Sequence, residues 1–281
     1  MTTAPIVVTG ATGKTGKRVL SRLAEGGHPV RPVSRQGVVR FDWSERDTWD
    51  PVLSGARAVY LVPLDGSALT RPFVERAREL GVERIVLASG RGIDVPGYVP
   101  DPHGVGEGLR DGEAAVRASG LEWTIVRPGW FAQNFSEGFF AESVAGGELR
   151  LAGGDGAASF VDARDIADVA VAALTGEGHH EQCYELSGPA ALTLAEVAAV
   201  ISGATGRDIR YVPLGQRAAI AELTETGWSA EDARTFIDVL EPLREGRDSH
   251  RSDGVRRALG REPRSFAEFA HATEREGGWP H

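Results

Sequence analysis

The residues best suited to chemistry come early in the chain. A β-branched run, Ile6-Val7-Val8, leads into Gly10-Ala11-Thr12-Gly13-Lys14-Thr15-Gly16, and Arg18, Val19, Leu20 and Leu23 continue at helical spacing. A strand, a glycine turn and a helix in that order form an anion site. The first glycine permits a tight exit from the strand, the second lets backbone approach a phosphate, and the third allows the helix to pack closely on the strand. The helix N-terminus then faces the anion. This is the pattern of a dinucleotide pyrophosphate site. Gly13-Lys14-Thr15 also looks like the end of a nucleoside-triphosphate loop, but that motif needs glycine five positions before Gly13, where Val8 stands.

The choice between NADP(H) and NAD(H) is made at the end of the second strand. There a carboxylate accepts from a ribose 2′-hydroxyl and repels a 2′-phosphate. The strand ends Val33-Ser34-Arg35, with no carboxylate, and Arg35 can pair with phosphate through two parallel hydrogen bonds. NADP(H) is therefore expected, with NAD(H) the weaker alternative.

The elements that must position this site alternate. Strands are expected at Ile6 to Val8, Val30 to Ser34, Val38 to Phe41, Ala58 to Val62, Arg84 to Ala88 and Trp123 to Val126. Helices are expected after the glycine turn, within Ser44 to Leu53, over Phe73 to Leu80 and ahead of Gly120, with a Gly/Pro-rich loop from Ser89 to about Gly106. Parallel neighbours need crossover connections, which the helices supply. The class is α/β: a Rossmann-type, doubly wound parallel sheet in the order 3-2-1-4-5-6 over residues 1–128. Residues 129–281 read as a smaller C-terminal lobe covering a substrate. Irregular chain runs to residue 160. A helix over Asp162 to Leu174, a strand over Cys183 to Leu186, a helix over Leu194 to Ile201 and a strand over Ile209 to Val212 follow, some of them returning to the main sheet.

Composition narrows the partners. With 281 residues, 41% of them hydrophobic, the chain can bury a large core. A formal charge of -9 gives no footprint for nucleic acid. No apolar stretch approaches the roughly 18 residues of a membrane span, and little chain precedes the first strand, so a cytoplasmic location is expected. The single cysteine, Cys183, reads as a small buried residue, with neither a disulfide nor a metal site expected. Glu222 to Asp248 has mixed charges around apolar positions, the pattern of an amphipathic surface helix or a homodimer contact.

Several motifs together resemble the NmrA-like atypical short-chain dehydrogenases, nearest their ergot-alkaloid dehydrogenase group. They are the glycine turn, Phe41-Asp42-Trp43, Val126-Arg127-Pro128-Gly129-Trp130-Phe131-Ala132-Gln133-Asn134-Phe135, Phe160-Val161-Asp162-Ala163-Arg164-Asp165-Ile166-Ala167 and Leu186-Ser187-Gly188-Pro189. The Arg-Pro-x-Trp-Phe-x-x-Asn-Phe run is the most discriminating. The resemblance implies that Gly10, Thr12, Gly13 and Lys14 contact the pyrophosphate, Arg35 the 2′-phosphate, and Asp42 and Trp43 the adenine. It implies that Pro63, Leu64, Ser89 and Gly90 border the ribose and nicotinamide, and that Trp130, Phe131 and Asn134 line a cavity between the lobes. It also implies reduction of iminium, enone or quinone groups in a bulky, flat small molecule. Some members bind cofactor only as regulators, so a non-catalytic NADP(H) sensor is the alternative.

What is absent shapes the chemistry. Ordinary short-chain dehydrogenases use Tyr-x-x-x-Lys, whose lysine lowers the tyrosine pKa. Here Pro102 stands four residues after Tyr98. The only lysines, Lys14 and Lys17, belong to the glycine turn, and the other 29 of the 31 basic residues are arginine. An acceptor that is already electrophilic needs mainly orientation and exclusion of water. If a proton donor is required, Tyr98, Asp101 and His103 lie on the loop after the fifth strand, and His103 is the first choice. Asp162 and Asp165 fit an N-cap and a third helical residue better than a catalytic pair. His179 and His180 fit a solvated turn. For Trp130, Phe131, Phe135, Phe139 and Phe140 the residues leave pocket and core equally open.

Overall fold

A computed structural model of the chain describes residues 4–98 and 105–280. Six strands form its framework: β1 (Ile6–Val8), β2 (Val30–Ser34), β3 (Val39–Arg40), β4 (Ala58–Leu61), β5 (Arg84–Ala88) and β6 (Glu122–Pro128). They alternate with α1 (Lys14–Glu25), α2 (Trp49–Leu53), α3 (Thr70–Glu79) and α4 (Val105–Ala118). The chain continues through α5 (Asn134–Glu137), α6 (Ala141–Ala145), β7 (Glu148–Leu151), β8 (Ala157–Ala158) and α7 (Ala163–Thr175). Then β9 (Gln182–Leu186) joins the main sheet, parallel to β6 from Thr124 opposite Gln182 to Pro128 opposite Leu186. The sheet order is β3-β2-β1-β4-β5-β6-β9, which is the expected doubly wound order with a seventh strand on one edge.

Both faces of this sheet are buried, so its strands carry continuous apolar residues. Ile6, Val8, Tyr60, Val86 and Val126 face α1 and α7, packing on Val19, Leu23, Ile166 and Val169. Val7, Val59, Leu61, Ile85 and Ile125 face the opposite layer with Phe41, Trp49, Phe73 and Val116. The third strand is shorter than the sequence suggests because Val38 is fully exposed and Phe41 turns into the core beside Trp43 and Phe73.

The remaining elements build the second lobe: β10 (Leu192–Thr193), α8 (Leu194–Thr205), β11 (Arg210–Pro213), α9 (Gln216–Glu225), α10 (Ala230–Val239), α11 (Glu241–Arg244), α12 (Gly254–Leu259) and α13 (Phe266–Arg275). β11 runs parallel to β7, and β10 pairs antiparallel with β8. Their core is aromatic, with Phe135, Phe140, Phe160, Phe266 and Phe269 buried together. Ala233, Ile237, Leu240 and Leu243 of the 222–248 segment belong to this same core, whereas Trp228 and Val239 stay exposed.

Carboxylates hold the C-terminal part against the sheet. Asp162 caps α7 by accepting from the Arg164 backbone N–H at 2.8 Å. Asp165 is fully buried and accepts from the Arg264 backbone N–H at 2.7 Å and the Arg261 guanidinium at 2.7 Å. Asp168 links Arg22 of α1 with Arg261 and Arg264. Among the described residues, no helix is long and apolar enough to cross a membrane.

Candidate functional site

The glycine turn is shaped by steric necessity. Gly10 has φ +59°, a left-handed conformation that side chains rarely adopt. A Cβ on Gly16 would lie 2.1 Å from the Gly10 carbonyl oxygen, so only glycine lets α1 start this close to β1. The turn is closed by the Gly13 N–H donating to the Gly10 carbonyl at 2.9 Å. Gly10, Thr12 and Gly13 are exposed at its mouth, and Gly16 is buried beneath. No side chain caps α1, and its first turn has no acidic residue. Its terminal N–H groups and positive dipole end are left for an anion, so the turn fits a dinucleotide pyrophosphate. Next to it, the Thr9 hydroxyl donates to the Tyr60 carbonyl at 3.2 Å and accepts from the Val62 N–H at 2.7 Å, which ties β1 to the exit of β4.

Beyond β2 the guanidinium of Arg35 is exposed, with no hydrogen bond or ion pair to another described residue. Asp42 accepts from the Ser44 hydroxyl at 2.7 Å and the Ser44 N–H at 3.0 Å, which holds its carboxyl below the usual range, with smaller help from Arg40 and Arg35. Trp43 packs edge-on against Phe41 and Trp49. Pro63 is half-buried and Leu64 exposed, just past β4. Beyond β5, the Ser89 hydroxyl donates to Glu113 at 2.8 Å. Glu113 is buried and also takes two hydrogen bonds from Arg127, at 2.7 and 2.6 Å. This pair fixes the carboxyl ends of β5 and β6, where ligands sit in doubly wound sheets.

A cavity of about 340 Å³ opens at those strand ends. The tertiary structure brings Lys14, Gly90, Tyr98, Trp130, Phe131 and Asn134 together in its wall, with Phe139 and Asp248. The five aromatic residues beyond Pro128 divide. Trp130, Phe131 and Phe139 face the cavity, whereas Phe135 and Phe140 are fully buried in the lobe core. His103 and Asp101 lie outside the described residues.

Three features of the cavity were hidden from sequence reasoning. Asp248, part of a segment read as surface, is only 4% exposed. It accepts from the Tyr98 hydroxyl at 2.6 Å and from the Trp130 indole N–H at 2.8 Å. Burial, reinforced by this carboxylate, pushes the Tyr98 phenol well above its ordinary pKa, so Tyr98 is held neutral with its proton committed to Asp248. Arg91 is the second feature: it pairs with Glu185 at 2.9 Å and donates to the Ser159 hydroxyl and the His250 carbonyl, each at 3.1 Å, clamping the back wall.

The third is the direction of Lys14. Its backbone opens α1, but its ammonium runs away from the turn, donates to Asn134 Oδ1 at 3.0 Å and lies 5.3 Å from the centre of the Phe139 ring. Burial lowers its pKa against the pull of Glu137, and Lys17 and Arg18 add to the lowering. A lysine and a tyrosine therefore share one cavity although no Tyr-x-x-x-Lys motif exists. No spacing rule along the chain would have found them.

Residues 10–177 match the family described as NAD(P)H-binding. The chain is 36% identical to the NAD(P)H azoreductase of Xenophilus azovorans, over 95% of this chain and 97% of that protein. It is 35% identical to the (4-alkanoyl-5-oxo-2,5-dihydrofuran-3-yl)methyl phosphate reductase of Streptomyces griseus, over 94% and 96%. Agroclavine dehydrogenase of Claviceps fusiformis is 31% identical over 94% of this chain and 95% of that protein. Among solved structures, the NADPH-dependent quinone oxidoreductase of Escherichia coli complexed with NADPH superimposes with TM-score 0.80 at 23% identity, covering 95% of this chain and 99% of that one. The negative transcriptional regulator NmrA in complex with NAD gives TM-score 0.73 at 17% identity, covering 99% and 97%. Both structural likenesses speak to the fold.

Proposed function

The chain belongs to the NAD(P)H-binding family of oxidoreductases and shares the NmrA-like fold, and from that premise we propose that it reduces a bulky, flat, conjugated small molecule, with NADPH as donor. The observation that carries this reading is the cavity at the ends of β5 and β6, walled by Trp130, Phe131 and Phe139 and bordered by the residue that opens α1. A planar acceptor stacked on aromatic walls is oriented at little entropic cost, and orientation is the main service such a reaction needs.

Under this reading, Gly10, Thr12, Gly13 and the α1 amides hold the pyrophosphate. Arg35 engages the 2′-phosphate, and Asp42 and Trp43 border the adenine. Pro63, Leu64, Ser89 and Gly90 flank the ribose and nicotinamide. A reduced nicotinamide held by these residues would supply a hydride to the acceptor. Trp130 and Phe131 shield the reacting face of the cavity from water, and Asp248 fixes the Trp130 ring through its indole N–H. Iminium ions, quinones and enones are the acceptor classes, because each is electrophilic before any proton moves. The azoreductase, the dihydrofuranone phosphate reductase and the clavine dehydrogenase are relatives whose names speak of such conjugated or nitrogen-containing substrates.

The test is oxidation of NADPH, followed by its absorbance, against a panel of quinones, cyclic iminium ions and conjugated enones, with NADH in parallel. Rapid oxidation by one class, faster with NADPH, is expected. Equal affinity for oxidised and reduced cofactor with no turnover across the panel would replace this reading with that of a cofactor sensor.

A further inference from the structure

The donor groups facing the cavity single out one residue. The Tyr98 hydroxyl donates its hydrogen bond to Asp248, and the Trp130 indole N–H donates to the same carboxylate. Arg91 is only slightly exposed and is committed to Glu185, Ser159 and backbone carbonyls. Lys14 is different. An ammonium has three N–H donors, and among the described residues its one hydrogen-bond acceptor is Asn134 Oδ1. Glu137, whose charge acts on Lys14, is itself paired with Lys17 and Arg18, the latter at 2.6 Å.

Position argues the same way. The ammonium is half-buried between α1 and the Asn134 to Phe139 stretch, where burial disfavours its charge. Gly138 makes room for it, since a Cβ there would come within 2.6 Å of Nζ. A charge held at such a cost beside an aromatic cavity suggests a role in the reaction.

We propose that the Lys14 ammonium is the catalytic proton donor of this cavity, and that it selects acceptors whose reduction places negative charge on oxygen, quinones and enones, over cationic iminium ions. The inference rests on the reading of the site as a reductase. When hydride adds to the β-carbon of an enone, a new C–H bond forms and the C=C pair moves to the α-carbon and carbonyl oxygen. The developing enolate oxygen takes a proton from Nζ, breaking N–H and forming O–H, and neutral Lys14 is reprotonated from water. For a quinone the same shift yields the hydroquinone. An iminium ion needs no proton, and a neighbouring ammonium repels it.

Three measurements on Lys14→Met and Lys14→Gln test this. Affinity for NADPH, read from the quenching of protein fluorescence, should stay within about twofold of the wild type. Turnover of a cyclic enone should fall about 10²- to 10⁴-fold, the span of general-acid effects, whereas turnover of a cyclic iminium ion, if any, should hold or rise. On the protein without cofactor, 4-nitrophenol should bind to the wild type as the coloured phenolate and to both variants only as the phenol. Loss of NADPH affinity matched by an equal loss with every acceptor would assign the ammonium to the cofactor phosphates and overturn the proposal while leaving the reductase reading intact. Failure of the wild type with every acceptor would sink the reductase reading instead, and the nitrophenol spectrum would then judge Lys14 separately: no phenolate on the wild type overturns it.

Discussion

Tyr98 and Asp248, 150 residues apart in the chain, meet at 2.6 Å across the mouth of the cavity. The bond joins the loop after β5 to the second lobe, and the same carboxylate holds Trp130. Replacing Asp248 with Ala takes the acceptor from the half-buried Trp130 indole N–H and leaves the Tyr98 hydroxyl only the Arg247 carbonyl at 3.4 Å, a loss of about 1–3 kcal/mol in all. Asp248→Ala should therefore lower the urea midpoint and raise KM for the acceptor, with NADPH affinity kept, because the glycine turn is untouched. Asp248→Asn, which can still accept one of the two bonds, should lose less. An unchanged midpoint in Asp248→Ala would remove Asp248 from this account.

Under the proposed reading Arg35 sets the cofactor preference. Hydrogen bonds to a charged group are worth about 1.5–3 kcal/mol, so Arg35→Ala should weaken NADPH binding roughly 10- to 100-fold. NADH, which lacks the 2′-phosphate, should bind as before. Titration of both nucleotides by fluorescence checks this, and equal affinities for NADPH in the two proteins would refute it.

Gly16 has no room for a methyl group. Its Cβ would overlap the Gly10 carbonyl, a backbone atom that cannot swing aside. Gly16→Ala should push α1 off β1, abolishing measurable NADPH binding and lowering the melting temperature. Gly27→Ala, at the far end of the same helix, is the control: its Cβ would meet open space, though its φ of +71° adds backbone strain. It should cost some stability yet spare NADPH binding.

Tyr60, fully buried on β4, makes stability depend on alkaline pH. Burial pushes its phenol up to about 12 from 10.0, opposed by a smaller pull from the Thr15 hydroxyl. A phenol whose pKa is raised in the folded state stabilises fully below the unfolded pKa, and that contribution is lost as pH rises from about 10 towards 12. Two pKa units correspond to roughly 3 kcal/mol. Urea midpoints measured from pH 8 to 11 should stay level and then fall. Tyr60→Phe should flatten the fall without abolishing it, since Tyr98 is raised in the same sense. An identical alkaline slope in both proteins would contradict the assignment.

Much of this molecule could be read along the chain, because the relevant physics is local. The strand-turn-helix at Ile6 to Leu23 and the alternation up to β6 determined the doubly wound sheet. β-Branched runs, crossover helices and the glycine spacing act over a few residues each. For the aromatic run Trp130 to Phe135 the residues alone left pocket and core open, and only the family resemblance placed Trp130, Phe131 and Asn134 at a cavity.

Only the tertiary structure decided which residues of that neighbourhood face the cavity. Whether Phe139 or Phe140 points inward depends on where α5 and α6 pack, and no periodicity covers so short and irregular a stretch. Asp248 reads as one more charge on an amphipathic surface. It is buried because α11 and the chain beyond it fold back over the mouth of the sheet, where Tyr98 and Trp130 supply the donors that make a buried carboxylate tolerable. Lys14 reads as part of a phosphate turn. Its backbone belongs there, but the side chain is long enough to reach another element, and the acceptor at Asn134 together with the gap left by Gly138 determined where its charge lies.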